Sequence, residues 1–519
     1  MMFRTIFAIF LFSLVASTVS AQQLRATPDA VFKGHELVGD WAIEEADELA
    51  EALIKKYPSS GDAYFLKARV EFFKGNYEVA ADIMKQVGGQ HENVEEFRTL
   101  VNATHKISKR FVTRKSERFE FRYVDGPDAV LLPFAEEALE ASYKILGDLL
   151  GFHPKEKIIV EIYPGQEPFS QVSPLTLKDI ETSGTVALCK YNRIMIISPR
   201  YLARGYNWLD TLSHEYVHYV LTRKSRNHFP LWLHEGAAKY LESRWRGEKK
   251  YLNPIMETIL ASGLENNYLI SLDQMMPSLA KLKSAEDVQL AYAQVSTMME
   301  HIFELKGEAF LSRMLEQLAT GKEEFTPMLE RELGLSLAQF QEAWEVHARK
   351  MKLKNIPGHK TLLLQFKKDG ESEDETSYRQ IQEKRTRDLT FLADVLKSRN
   401  YMEAAVVEYE KAVKETESLN PILYNKLAAA YLSSGDPEKA ELLLQKSLEF
   451  YPMFSTTLVN LANVYLQTND RPKAQSYLEQ ALRINPFNPY VHLQLIQTYQ
   501  SLGLPDKKRL QETLYSYIE

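Results

Sequence analysis

Residues 214–218 read His-Glu-Tyr-Val-His. On an α-helix, positions i and i+4 share a face, so His214 and His218 can aim ring nitrogens at one point. Two imidazoles so placed are half a coordination shell for a divalent transition metal. Glu215 lies about 100° round the helix, close enough to hold a water beside that metal. The sequence holds one cysteine, Cys189. A disulfide framework and a cysteine-rich zinc module are therefore excluded, and any transition metal must be held by histidine and carboxylate. Catalytic zinc usually takes three protein ligands and leaves one position open. The third is expected from Leu231–Glu242 (LWLHEGAAKYLE), which follows a polar loop and Pro230 and reads as a second helix. Glu235 is the favoured donor. His234, about 100° from it on that helix, and His228 in the loop compete. The bland alternative is that His214 and His218 are hydrogen-bonded core histidines.

The flanking sequence must build two helices and hold them together. Asn207 with Asp210 three positions later has the spacing of an N-cap and its acidic partner. Trp208, Leu209, Leu212, Tyr216 and Val220 form an apolar stripe for the first helix. Upstream, residues 119–123, 158–163 and 193–197 are rich in β-branched and aromatic residues and predict strands, with a helical run over about 128–150. Cys189 reads as a buried strand residue. Residues from about 207 to 350 return to helical periodicity.

Towards the C-terminus a repeat of about 34 residues emerges. Ala428 and Ala462 share one phase, Ala405, Ala440 and Ala474 a second, and Ala412, Ser447 and Ala481 a third. Pro452 and Pro486 close two units, and Tyr431 and Tyr465 hold the same place in consecutive units. The pattern resembles tetratricopeptide (TPR) repeats, paired helices whose small residues let backbones approach. Three units are expected between about 388 and 486, followed by a terminal helix pair. A weaker version, carried by Ala46, Pro58, Ala68 and Ala80, predicts one and a half to two hairpins over about 36–106. Residues 367–387 are charge-dense and read as a solvated linker. Met1–Ala21 has a basic start, a short apolar core and small residues before Gln22. It predicts a signal peptide cleaved after Ala21, hence a periplasmic or secreted chain with no stable membrane span. Ordinary globular composition argues against wholesale disorder and a multi-span membrane protein, and a net charge of −7 argues against nucleic-acid binding.

HEYVH followed by WLHEGAAKYLE resembles the gluzincin zinc metallopeptidases, the clan of thermolysin and aminopeptidase N. It is most similar to the bacterial peptidase MA-like domains that accompany TPR repeats, over roughly residues 110–350. The resemblance implies an α+β zincin-like domain, a small sheet plus a helical HExxH half, with all-α TPR segments on both sides. The expected parts are a signal peptide (1–21), TPR-like hairpins (22–108), the peptidase domain (109–355), a charged linker (356–387) and C-terminal repeats (388–519). It implies one Zn2+ per chain on His214, His218 and Glu235, with Glu215 as general base. Glu242 falls where relatives place a carboxylate behind a ligand histidine. Tyr292, in AYAQVSTMM, falls where they place a tyrosine that stabilises the oxyanion, with Tyr240 a weaker candidate. The aminopeptidase Gly-x-Met-Glu-Asn motif is missing: Ser183–Leu188 reads SGTVAL. An endopeptidase cleft is therefore expected, and Gly184–Ala187 offers a strand edge to an extended peptide. The substrates are then proteins or peptides, with a protein partner on the concave TPR face. Asn460 and Asn463 are candidates to hold an extended backbone there. Two alternatives remain: a periplasmic TPR scaffold or chaperone with an inactive or structural zinc domain, and a zinc hydrolase acting on a non-peptide amide or ester.

Overall fold

The computed structural model describes residues 28–519 apart from 89–91, 277, 357, 359–363, 368–377, 382 and 417–418. The expected signal peptide and the centre of the expected linker lie outside the described residues. Five helices open the described chain: α1 (Pro28–Gly39), α2 (Ile43–Lys56), α3 (Gly61–Phe73), α4 (Tyr77–Met84) and α5 (Glu92–Ser108). Ala46, Ala68 and Ala80 are fully buried between them, as helix pairs packed through small residues require.

A five-stranded sheet follows, built from β1 (Phe111–Lys115), β2 (Phe119–Val124), β3 (Ile158–Tyr163), β4 (Ala187–Lys190) and β5 (Arg193–Ile197). The strand order is β1-β2-β3-β5-β4, parallel through the centre and antiparallel at both edges. Three strands agree with the sequence reading. The other two are edges, where pairing is carried by the backbone and leaves little side-chain pattern. In β1 only Phe111 is half-buried and the other four residues are exposed. β4 is four residues long and carries Cys189, which is half-buried. Between β2 and β3 runs α6 (Leu132–Leu150); α7 (Gln166–Val172) and α8 (Leu177–Ser183) precede β4.

Seven helices complete the central region: α9 (Trp208–Ser225), α10 (Leu231–Leu241), α11 (Pro254–Glu265), α12 (Ala285–Lys306), α13 (Ala309–Leu318), α14 (Phe325–Leu333) and α15 (Leu337–Ala348). The expected stripe on α9 is buried, but so are Val217, Tyr219 and Leu221, so the helix is enclosed on nearly every side. The expected cap is not formed. Asn207 occupies the N-cap position, yet its side chain donates to the Asp210 carboxylate at 2.7 Å. Asp210 is drawn instead to Trp245 Nε1 (2.9 Å) and the Arg246 guanidinium (2.8 Å). A charged pair outcompetes a neutral cap for that carboxylate.

Eight helices end the chain in four antiparallel pairs: α16 (Lys384–Ser398) with α17 (Met402–Glu415), α18 (Pro421–Ser433) with α19 (Pro437–Phe450), α20 (Ser455–Gln467) with α21 (Arg471–Ile484), and α22 (Pro489–Ser501) with α23 (Pro505–Ser516). The alanines that define the repeat are all buried. Tyr431 donates to Glu410 at 2.7 Å and Tyr465 to Glu441 at 2.6 Å, one bond repeated in consecutive units. The expectation of a purely solvated linker is corrected at its described ends. Residues 365 and 367 pair with the backbone of Ala203 (2.9 Å) and Tyr201 (2.8 Å). Ile381 is fully buried against the repeats, and α16 begins at Lys384. Two apolar residues, Tyr378 and Ile381, seat this charge-dense run. No described helix is long and apolar enough to cross a membrane.

Both sets of repeats are fused to the central region. At the N-terminal side Tyr77 donates to Glu161 of β3 (2.5 Å), which pairs with the buried Arg193 of β5 (2.9 Å). Arg223 and Asn227, at the C-terminal end of α9, donate to the carbonyls of Trp41 and Gly39, each at 3.0 Å. At the other end of α9, Trp208 Nε1 donates to the Arg483 carbonyl (2.8 Å), and Ser455 donates to the Arg204 carbonyl (2.8 Å). Gly205 has φ +68°, and a Cβ there would meet the Ile484 carbonyl at 2.2 Å. Only glycine allows this approach.

Candidate metal centre

α9 carries HEYVH and α10 carries Glu235. The two helices are joined by a turn through Arg226 (φ 51°) and Asn227 (φ 62°), and α10 starts after the extended Pro230. His214 Nε2 and His218 Nε2 lie 3.1 Å apart, and each is 3.4 Å from Glu235 Oε2. Ligands about 2.0–2.1 Å from a tetrahedral zinc are separated from one another by about 3.3 Å. The three atoms already hold that spacing. Glu235 Oε2 is buried and makes no hydrogen bond. A buried carboxylate oxygen facing two imidazole nitrogens without a donor between them fits a bound cation. The cluster consists of these three residues, without Cys189.

Two further carboxylates, Glu242 and Glu215, stand beside it. Glu242 Oε2 accepts from His214 Nδ1–H at 3.0 Å, which leaves the Nε2 lone pair for the cluster. Glu242 Oε1 accepts from Lys239 at 2.5 Å, so its orientation is fixed from both ends. It is no solvent-facing residue. The His214 pKa is raised to about 10: burial opposes its charge, but the neighbouring Glu235 and Glu242 carboxylates outweigh burial. Glu215 is buried and its pKa is raised, first by desolvation, against the lowering effect of His218 and His214. The Cys189 backbone on the edge strand β4 lies near enough to lower it in turn. The same burial, with Glu215 beside it, pushes the Cys189 thiol well up.

The competing ligands are placed elsewhere. His234 Nδ1 lies 3.4 Å from His218 Nδ1, on the far side of that ring from Glu235. Burial, then His218, lowers its pKa to about 3, so it stays neutral and can accept from His218 Nδ1–H. His228 faces the Leu318 carbonyl (3.2 Å). Tyr292 of α12 lies beside the cluster, its ring 6.2 Å from that of His214. Burial, then the Glu235 and Glu215 carboxylates, raise its pKa well above the usual phenol value, so the hydroxyl keeps its proton as a donor. Tyr240 is a packing residue, against Tyr251 (4.8 Å) and Phe303 (5.2 Å). Gly236 was not singled out by sequence reasoning. A Cβ there would meet the Val295 carbonyl at 2.4 Å, so glycine is what lets α10 seat against α12 and brings Tyr292 to Glu235. Its place directly after the ligand carboxylate was the available signal.

A profile of the Peptidase MA superfamily matches residues 138–349, and TPR profiles match residues 42–87 and 431–497. The central region is a Peptidase MA superfamily domain flanked by TPR repeats. No curated protein matches the chain. Similar solved structures include yeast LTA4 hydrolase in complex with bestatin, at 13% identity over 79% of this chain and 67% of that one, TM-score 0.31. The yeast Tom70 structure is 12% identical over 92% of this chain and 87% of that one, TM-score 0.20. A structure titled MamA MSR-1 C2 is 19% identical over 26% of this chain and 78% of that one, TM-score 0.23.

A cavity of about 1200 Å³ lies between the peptidase domain and the C-terminal repeats. Gly184, Val186, Lys239 and Glu242 line one wall, and Phe450, Phe454 and Arg483 line the other. Glu242 thus joins the cavity to the cluster. The two asparagines expected to hold a peptide are occupied internally. Asn460 donates to Asn425 (2.8 Å) and Asn463 accepts from Tyr490 (2.5 Å).

Proposed function

We propose that the chain is an exported, zinc-dependent metallopeptidase of endopeptidase type, whose TPR repeats position protein or peptide substrates. The observation that carries this reading is the convergence of His214 Nε2, His218 Nε2 and Glu235 Oε2 at 3.1–3.4 Å, with Glu215 at their side. Zinc bound there would supply a Lewis acid for the scissile carbonyl and an acidified water. Glu242 fixes the His214 ring, and His234 stands behind His218. Glu215 accepts the proton of the attacking water and delivers it to the leaving amine, a task for which a raised carboxylate pKa is suited. The Tyr292 hydroxyl donates to the developing oxyanion.

β4 is an edge strand, and its Cys189 backbone meets Glu215. A peptide added along β4 from the cavity would pass over Glu215 in extended form. The absence of a glutamate in SGTVAL leaves no acidic grip for a free amine at that strand, which favours internal cleavage. The deciding experiment is Glu215→Gln in the full chain, assayed on quenched peptides with zinc counted per chain. Zinc should stay and hydrolysis should vanish. Undiminished hydrolysis would overturn the mechanism.

A further inference from the structure

A second cluster of metal-ligand types lies on α12 and α15. His301 and Glu304 are i and i+3 on α12, one turn apart on the same face. His347 of α15 stacks over His301 at 4.6 Å between ring centroids. One ligand atom from each of the three lies within 4.8 Å of the others. His347 Nδ1 is 3.4 Å and His301 Nδ1 3.9 Å from Glu304 Oε2. These separations are close to the edge of about 3.3 Å that zinc coordination requires, and small side-chain rotations close the difference.

Two further facts point to a ligand. His301 Nδ1, the nitrogen that faces Glu304, is buried and makes no hydrogen bond. A buried imidazole nitrogen left unpaired carries a desolvation penalty, and a cation removes that penalty at the nitrogen it binds. The cluster also opens into a cavity of about 560 Å³, lined by Gln339, Glu342 and Lys350 among others, which leaves room for water in the remaining coordination positions. Nitrogen and oxygen donors without thiolate suit zinc, nickel or copper over calcium or magnesium.

We propose that His301, Glu304 and His347 form a second divalent transition-metal site, independent of the cluster on α9 and α10. His301 is nine residues beyond Tyr292, about 13 Å along the same helix. An ion there cannot share ligands with the first cluster. It would cross-link α12, which carries Tyr292, to α15.

The test is zinc per chain on the full protein equilibrated with zinc chloride and passed through a desalting column, measured by elemental mass spectrometry. The wild-type chain should retain two zinc ions, H301N/H347N one, and H214N/H218N one. Peptide hydrolysis should survive in H301N/H347N, so loss of this site is distinguishable from failure of the peptidase reading. One zinc in the wild-type chain that H301N/H347N leaves unchanged would overturn the proposal. If the buried substitutions unfold the chain, the exposed Glu304→Gln keeps the question open to decision. It should weaken the second zinc by about tenfold or more, and an unchanged affinity would refute the site.

Discussion

The two histidine–carboxylate clusters use the same donor types, and they differ in how far their geometry is set in advance. In the first, the ligand atoms stand 3.1–3.4 Å apart, and Glu242 and Lys239 lock the His214 ring. In the second, Glu304 is more than half exposed and the separations reach 3.9 Å. His301 leans on Phe340, 6.0 Å away, where His214 leans on a carboxylate. The contrast teaches that the same donor types can be held with very different degrees of preorganisation. The buried Glu215 carboxylate, the Tyr292 hydroxyl and an imidazole fixed by Glu242 surround only the first.

The largest expected effect tests that distinction. Glu215→Gln should lower kcat/KM on quenched peptides by about 10²–10⁴-fold, with zinc content unchanged, whereas Glu304→Gln should leave hydrolysis intact. Tyr292→Phe should cost about 10²–10³-fold in kcat without releasing zinc; a lost metal instead would make Tyr292 a structural support. Glu242→Gln should weaken zinc at the first cluster by about 10–100-fold and leave the second untouched, read from a competition titration with a coloured chelator. In that titration the wild-type chain should surrender its second-cluster zinc first, with hydrolysis preserved until the remainder is drawn off. The smallest effect concerns the scaffold. Trp208→Phe removes one hydrogen bond to the repeats and leaves a small cavity at a fully buried side chain, and should cost about 2 kcal/mol, seen as a lower Tm with metal binding preserved.

Much of the first cluster was legible because its residues sit at fixed helical offsets: i and i+4 for His214 and His218, and a glutamate at the start of an apolar helix for Glu235. The TPR pattern was legible because small residues recur wherever two helices touch. The edge strands β1 and β4 left little trace, since Val112–Lys115 are exposed and β4 is short. The Asn207–Asp210 pair was misread because Trp245 and Arg246, 35 and 36 residues on, take the carboxylate. Gly205 and Gly236 each permit an approach by a backbone distant in sequence, Ile484 and Val295. The second cluster joins residues 301 and 347, a separation that no local motif encodes.

One feature of α9 bears on how the molecule comes into being. Residue 41 caps one end of this helix and residue 483 the other. The chain therefore closes a ring, with its opening and closing segments meeting on one rod. Synthesis proceeds from the N-terminus, so HEYVH exists as peptide long before its surroundings do. The wall opposite Glu242 is supplied only when residues 450–484 arrive. The peptidase domain is thus synthesised in full before that wall exists, and the cavity is completed only afterwards.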